Sequence, residues 1–236
     1  MAGKKPFKKA ANDLRAIAVL YDWAPMQIVV NQDFAKEHGI NDFADLITKK
    51  APVRISVNKR GLVVSQVIEA MVEAAGGSFE GIRKAGGQVV FAASKEMSNL
   101  IKDRRIDAMG NAIFVRHRSI RQPGDAVPLK LLNISESIIA KVSKDLKINR
   151  YTVKGGSYKW APKDINTIAL SAQLVTLDTL SDEDAHNIAK ALVDHSDKMS
   201  GVHKAMKALN TKLMASSQST PYHKGAERAY KAAGLR

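Results

Sequence analysis

Residues Val53 to Val72 read VRISVNKRGLVVSQVIEAMV, and few chain folds accommodate that order of patterns. Val53, Ile55 and Val57 alternate with Arg54 and Ser56, the period of two that a strand requires. Val64, Val67, Ile68, Met71 and Val72 then recur at helical spacing, and Gly76-Gly77 ends the run. Between them lies the polar turn Asn58-Lys59-Arg60-Gly61. A strand feeding a helix through such a turn directs free backbone N–H groups and the positive end of the helix dipole at one spot, here joined by two cations. Its chemistry suits an anion, although many strand-to-helix turns of this kind bind nothing.

The remaining strands and helices alternate in the same way. Gln88 to Phe91 reads as a strand after the turn Gly86-Gly87, and Ser94 is placed to cap a helix with Met97, Leu100 and Ile101 on its inner face. Ile106 to Phe114 reads as a buried strand interrupted at Gly110-Asn111, where a glycine marks a bulge or a close approach. Leu129 to Leu132 gives another strand, and Ser135 to Leu146 a helix with Ile138, Ile139, Val142 and Leu146 inward. This alternation predicts an α/β fold with a mainly parallel sheet.

Upstream, residues 1 to 12 read as a basic lead-in. Leu14 to Leu20 and Met26 to Val30 are apolar, and two strands around Tyr21-Asp22-Trp23-Ala24-Pro25 or one long strand broken at Pro25 both fit. Asp33 to Gly39 reads as a polar connection and Asn41 to Ile47 as one capped helical turn. Downstream, Ile165 to Leu177 is long for one strand, and two strands joined at Ser171-Ala172 fit equally. The last quarter is helical. Ser181 caps a helix with Ala185, Ile188, Ala189, Leu192 and Val193 inward; a second carries Val202, Ala205, Met206 and Leu209, and a third starts near Gly225 with Ala226 and Tyr230 inward.

With 236 residues, 45% of them hydrophobic, the chain can bury a substantial core. It has no apolar run of the roughly 20 residues that a membrane span needs, and MAGKKPFKKA lacks the apolar segment of a signal peptide. The absence of cysteine removes disulfides and thiolate metal sites without fixing the compartment. A net charge of +14 raises nucleic acid as a partner, but the cations are dispersed among acids and no aromatic residues interleave with them, so no nucleic-acid partner is expected. Catalytic signatures are missing: there is no HExxH pair, nucleophile elbow, P-loop or dinucleotide-binding glycine motif. His195 and His203 with Asp194 and Asp197 read as solvated helix-end residues rather than a metal centre. No enzyme activity, cofactor or metal is expected.

Taken together, LRAIAVLYDWAPMQIVV, RISV with its polar turn, LIKDRRIDAMGNA, GGSYKWAPKDINTIALSAQLV and the ending PYHKGAERAYKAAG resemble the TAXI class of solute receptors of tripartite ATP-independent (TRAP) transporters. The most specific part is Pro221, His223, Gly225-Ala226-Glu227-Arg228, Tyr230 and Gly234, and the likeness extends from Leu14 through nearly the whole chain.

The resemblance implies a two-lobed fold of the type II periplasmic-binding-protein kind, with crossover strands and a helical C-terminus. It implies an extracytoplasmic receptor that captures a small organic anion, a carboxylate such as glutamate or 2-oxoglutarate, and delivers it unchanged to membrane permease subunits. The expected division is residues 1–30 as lead-in and first crossover, 31–164 as the second lobe, and 165–236 as return crossover and helices of the first lobe. Relative to that family the chain lacks the export signal and the opening part of lobe one. Its turn carries cations where the family often has Ser and Gly. Carried over position by position, the ligand would meet Asn58, Lys59, Arg60 and Gly61, an aromatic and hydroxyl lining from Tyr21, Trp23, Ser157 and Tyr158, and the Asn111 amide. For the aromatic residues, core packing is the competing assignment. The alternatives are a basic nucleic-acid-binding protein and a small-molecule enzyme on the same fold.

Overall fold

The computed structural model describes residues 10–236. In chain order its strands are β1 (Leu14–Asn31), β2 (Arg54–Ser56), β3 (Gln88–Val90), β4 (Ala108–Ala112), β5 (Leu129–Leu131), β6 (Asn149–Val153) and β7 (Ile165–Leu177). The helices are α1 (Gln32–Glu37), α2 (Asp45–Thr48), α3 (Val63–Ala74), α4 (Phe79–Lys84), α5 (Ser94–Lys102), α6 (Arg118–Ala126), α7 (Glu136–Leu146), α8 (Asp182–Asp194), α9 (Thr211–Met214) and α10 (Lys224–Ala232). The chain forms two compact units: Trp23–Leu170, and the chain up to Asp22 together with Ser171–Arg236. β1 and β7 each contribute to both.

In the Trp23–Leu170 unit the strand order is β3-β2-β4-β1-β7-β6, with β5 also on β1. The sheet is mixed, not mainly parallel. β2 runs parallel to its neighbours β3 and β4, whereas β1 is antiparallel to β4 and β5, and β6 to β7. The alternation of strands and helices accounts for the β2, β3, β4 part alone, because β1 enters the middle of the sheet from outside that alternation. β1 and β7 are each continuous. Pro25 is accommodated because pairing with β4 begins one residue later, at Met26 opposite Ala112.

The predicted face of α3 is buried in full, Val64 through Val72. Gly110 in β4 explains how closely it packs: a Cβ there would lie 2.6 Å from Ile68 Cδ1 and 2.7 Å from Ile28 Cδ1. The glycine therefore marks a close approach of helix to sheet. On the opposite face Met97 and Ile101 of α5, Ile120 of α6, Met109, Val29 and Tyr158 share one apolar cluster.

Several local expectations are corrected. Asp33 to Gly39 is mostly helix α1, started by Asn31, whose Oδ1 accepts from the Asp33 and Phe34 N–H groups at 2.9 and 3.3 Å. Ser94 does not cap α5; Ala93 occupies the cap position, and the Ser94 hydroxyl accepts from Asn111 instead. Leu146 at the end of α7 is exposed. α6, a stretch for which no element was expected from sequence, holds Pro123 inside it.

In the other unit, α8 and α10 pack through small residues. A Cβ on Gly225 would lie 2.0 Å from the Asp182 carbonyl oxygen, and Ala185, Ala189, Ala226 and Ala229 are buried. Ile188 is exposed, contrary to its expected inward place, while Leu192 and Val193 are half-buried. The expected second helix is two 3₁₀ segments, Ser196–Gly201 and Lys204–Ala208, leaving Val202 75% exposed. Tyr230, fully buried, donates to the Ile17 carbonyl at 2.8 Å, and His223 caps α10 by accepting from the Gly225 N–H at 3.2 Å. These bonds tie the quoted C-terminal motif to structure. The lead-in residues 1–9 lie outside the described residues.

Candidate anion-binding edge

The parallel strands β2, β3 and β4 all end on one edge of the Trp23–Leu170 unit, where ligands of open α/β sheets are generally bound. After β2 the chain turns through Asn58 at φ +71° and Gly61 at φ +83° before entering α3. Asparagine and glycine tolerate that left-handed region best. The Asn58 side chain supports the turn from within, accepting from the Lys59 N–H at 2.7 Å and donating to Asn111 Oδ1 at 2.9 Å. Asn111, in β4, passes the bond on to Ser94 Oγ at 3.0 Å. Three chain segments are thereby joined by a buried amide network. Since an unsatisfied buried amide is costly, the network fixes their mutual position.

α3 begins at this edge with Leu62 as its cap residue, no side-chain cap hydrogen bond and no acid in its first turn. Six other helices, α1, α4, α6, α8, α9 and α10, are capped by Asn31, Ser78, His117, Ser181, Asn210 and His223. α5 also starts at this edge without a side-chain cap, although Glu96 lies in its first turn. The positive end of the α3 dipole is therefore open. Beside it the Arg60 guanidinium lies 4.1 Å above the Phe91 ring, and Phe91 meets Phe79 edge-on at 6.2 Å. Stacking orients the guanidinium while leaving its N–H fork available. Among the described residues neither Lys59 nor Arg60 forms an ion pair.

The model of the NMT1-like family matches residues 1–234 of the sequence. The chain belongs to this family. No protein with a curated description matches it. Among solved structures, this NMT1-like chain is similar to a glycine betaine/carnitine/choline ABC transporter protein, at 12% identity and TM-score 0.32 over 99% of this chain and 60% of the other. It is also similar to a protein from Archaeoglobus fulgidus (12% identity, TM-score 0.44, 95% and 75% covered). A third is an ABC transporter periplasmic binding protein from Brucella ovis with glutathione bound (12%, TM-score 0.42, 98% and 60%). The NMT1-like chain thus spans 60% of the length of two of these three.

The remaining residues singled out in sequence are distributed unevenly. Trp23 and Ser157 are half-buried in the same unit as the turn, whereas Tyr21 belongs to the other unit. Tyr158 is a core residue, 3% exposed and stacked on Trp160 with ring centroids 5.0 Å apart. Its hydroxyl donates to Gln27 Oε1 and accepts from the Arg116 N–H at 3.0 Å, so it has partners within the fold on both sides. Burial pushes this phenol up to about 12, against the opposing influence of Arg116 and Gln27, which keeps it a donor at neutral pH. Asn111 is likewise engaged, accepting from Asn58 Nδ2 and donating to Ser94 Oγ.

Gln27, Arg116 and Phe91 were not among the site residues expected from sequence. Gln27 is buried inside an apolar run, donates to the Ile113 carbonyl at 2.7 Å and stands opposite Asn111 in the β1/β4 ladder. Its one legible signal is a lone amide within MQIVV. Among the described residues no group of three or more His, Cys, Asp or Glu could hold a metal ion, and no helix is long and apolar enough to cross a membrane.

Proposed function

We propose that this NMT1-like protein is an extracytoplasmic solute-binding receptor that presents a small organic anion, a carboxylate of the glutamate or 2-oxoglutarate type, to the membrane permease of a TRAP transporter. The observation that carries the reading is the uncapped N-terminus of α3, set beside the unpaired cations Lys59 and Arg60 and held by the Asn58–Asn111–Ser94 network. A carboxylate placed there accepts from first-turn N–H groups and from the Arg60 fork. The TAXI-like motifs supply the transporter class.

The test is isothermal titration of the whole chain with glutamate, 2-oxoglutarate and related carboxylates. Saturable binding is expected for at least one, and Arg60→Ala should cost about 1.5–3 kcal/mol of that affinity, the range for a charge-assisted hydrogen bond. A panel that gives no saturable heat rejects the reading.

A further inference from the structure

Cations that are dispersed in sequence gather at one place in the Trp23–Leu170 unit, where residues 115–127 meet the loop of residues 154–164. The Arg116 N–H donates to the Tyr158 hydroxyl at 3.0 Å, and Arg116 Nε donates to the Ser157 carbonyl at 3.2 Å. The Trp160 indole nitrogen lies 2.0 Å from where a Cβ on Gly124 would sit. The loop is also closed on itself. Asp164 accepts from the Gly155 N–H at 2.8 Å and from Lys154 at 2.9 Å, and the Gly156 N–H donates to the Ala161 carbonyl at 2.9 Å. The Ala161 N–H returns to the Tyr158 carbonyl at 3.0 Å, which puts Lys159 and Trp160 at the centre of a tight turn.

The two segments hold six cations, Arg116, Arg118, Arg121, Lys154, Lys159 and Lys163, against two acids. Both acids are taken, Asp125 by Arg121 at 3.7 Å and Asp164 by Lys154. Arg116, Arg118, Lys159 and Lys163 are exposed, and among the described residues they form no ion pair. Like charges gathered without acids repel one another, so the arrangement is favoured when something outside the chain answers them. The rings of the loop are spent on the fold: Tyr158 stacks on Trp160, and Trp160 packs on Gly124. The surface thus offers charge without the free aromatic faces on which unstacked bases rest. An array of lipid phosphate groups asks only for charge.

We infer that the face carrying Arg116, Arg118, Lys159 and Lys163 is a docking surface for an anionic membrane, held by the phosphate groups of its lipids. The inference stands on observations separate from those at the α3 terminus. The closed loop and its bonds to Arg116 present the cations from a backbone that is already ordered, which lowers the cost of binding.

Co-sedimentation of the whole chain with phosphatidylcholine vesicles, with and without about one-third phosphatidylglycerol, tests this. Binding is expected to the anionic vesicles alone, and it should vanish at about 1 M salt, where charge is screened beyond about 3 Å. A cation near such a surface strengthens binding about fivefold. The variant Arg118→Gln/Lys159→Gln/Lys163→Gln should therefore bind roughly 100-fold more weakly. Lys204→Gln/Lys207→Gln/Lys212→Gln removes the same charge from exposed lysines of the other unit and should stay within about threefold of wild type. If the first variant does not fold, as read from its melting temperature, Lys159→Gln/Lys163→Gln should lose roughly 25-fold. No binding of the wild-type protein to anionic vesicles, or equal losses in the two triple variants, overturns the proposal. So does a preference for a DNA duplex over the vesicles at equal phosphate concentration, because the surface then belongs to nucleic acid.

Discussion

The two edges of the Trp23–Leu170 sheet carry similar charges and treat them differently. At the edge where β2 begins, Arg54, Lys49 and Arg104 are bound to acids, while Lys50 and Lys84 form no ion pair among the described residues. Arg54 donates to Asp107 from Nε at 2.9 Å and from its terminal nitrogen, and the same carboxylate accepts the Arg54 backbone N–H at 2.8 Å. Lys49 pairs with Asp45 and Arg104 with Asp33. At the edge where β2 ends, Lys59, Arg60 and Arg116 have no carboxylate, and aromatic rings and carbonyl groups orient the two arginines. An arginine satisfied by aspartate holds the fold together; one held in place but left without a counterion is available to a ligand.

This contrast can be broken by mutation, because stability should depend on one edge and binding on the other. The largest loss of stability is expected from Asp107→Ala. Removing a buried carboxylate that accepts three hydrogen bonds leaves Arg54 uncompensated, and chemical denaturation should show a drop of about 2–4 kcal/mol, moderated by the partial exposure of Arg54. Asn58→Ala comes next, at about 1–2 kcal/mol, since it deprives buried Asn111 of a donor and puts alanine at a positive φ. Asn58→Gly should lose less than Asn58→Ala, because the two side-chain hydrogen bonds are lost without backbone strain at the positive φ. Smallest is Arg60→Ala, whose effect on stability should stay within about 0.5 kcal/mol despite its proposed effect on affinity. A loss of stability by Arg60→Ala as large as that of Asp107→Ala would erase the distinction between the edges.

The same contrast explains what could be read in advance. The strand, turn and helix of Val53 to Val72 were legible because the hydrophobic period changes from two to 3.6 across a polar turn, and every α3 residue placed inward is buried. Residues whose role depends on partners far away in sequence were not. Tyr158 looked like a lining hydroxyl because nothing local reveals that Gln27, far upstream, takes its proton donor. Ser94 looked like a helix cap because its actual partner, Asn111, lies on another strand. Phe91 reads only as the end of a strand and Arg116 only as part of a short basic run, and neither pattern reveals the distant partners Arg60, Ser157 and Tyr158. The direction of β1 in the sheet was similarly hidden, since an apolar strand reads the same whether its neighbours run with it or against it.

An open cavity of about 810 Å³ lies at the opposite edge, lined by Lys50, Lys84, Ser78 and mostly apolar residues such as Leu46, Ile47 and Ile82, and offers a rival location for an anion. Backbone amide chemical-shift mapping during titration with 2-oxoglutarate distinguishes the two. The account predicts that the shifts concentrate on Lys59 to Ser65. Shifts centred on Lys50, Gly76 to Ser78 and Lys84, with the amides from Lys59 to Ser65 unmoved, would contradict it.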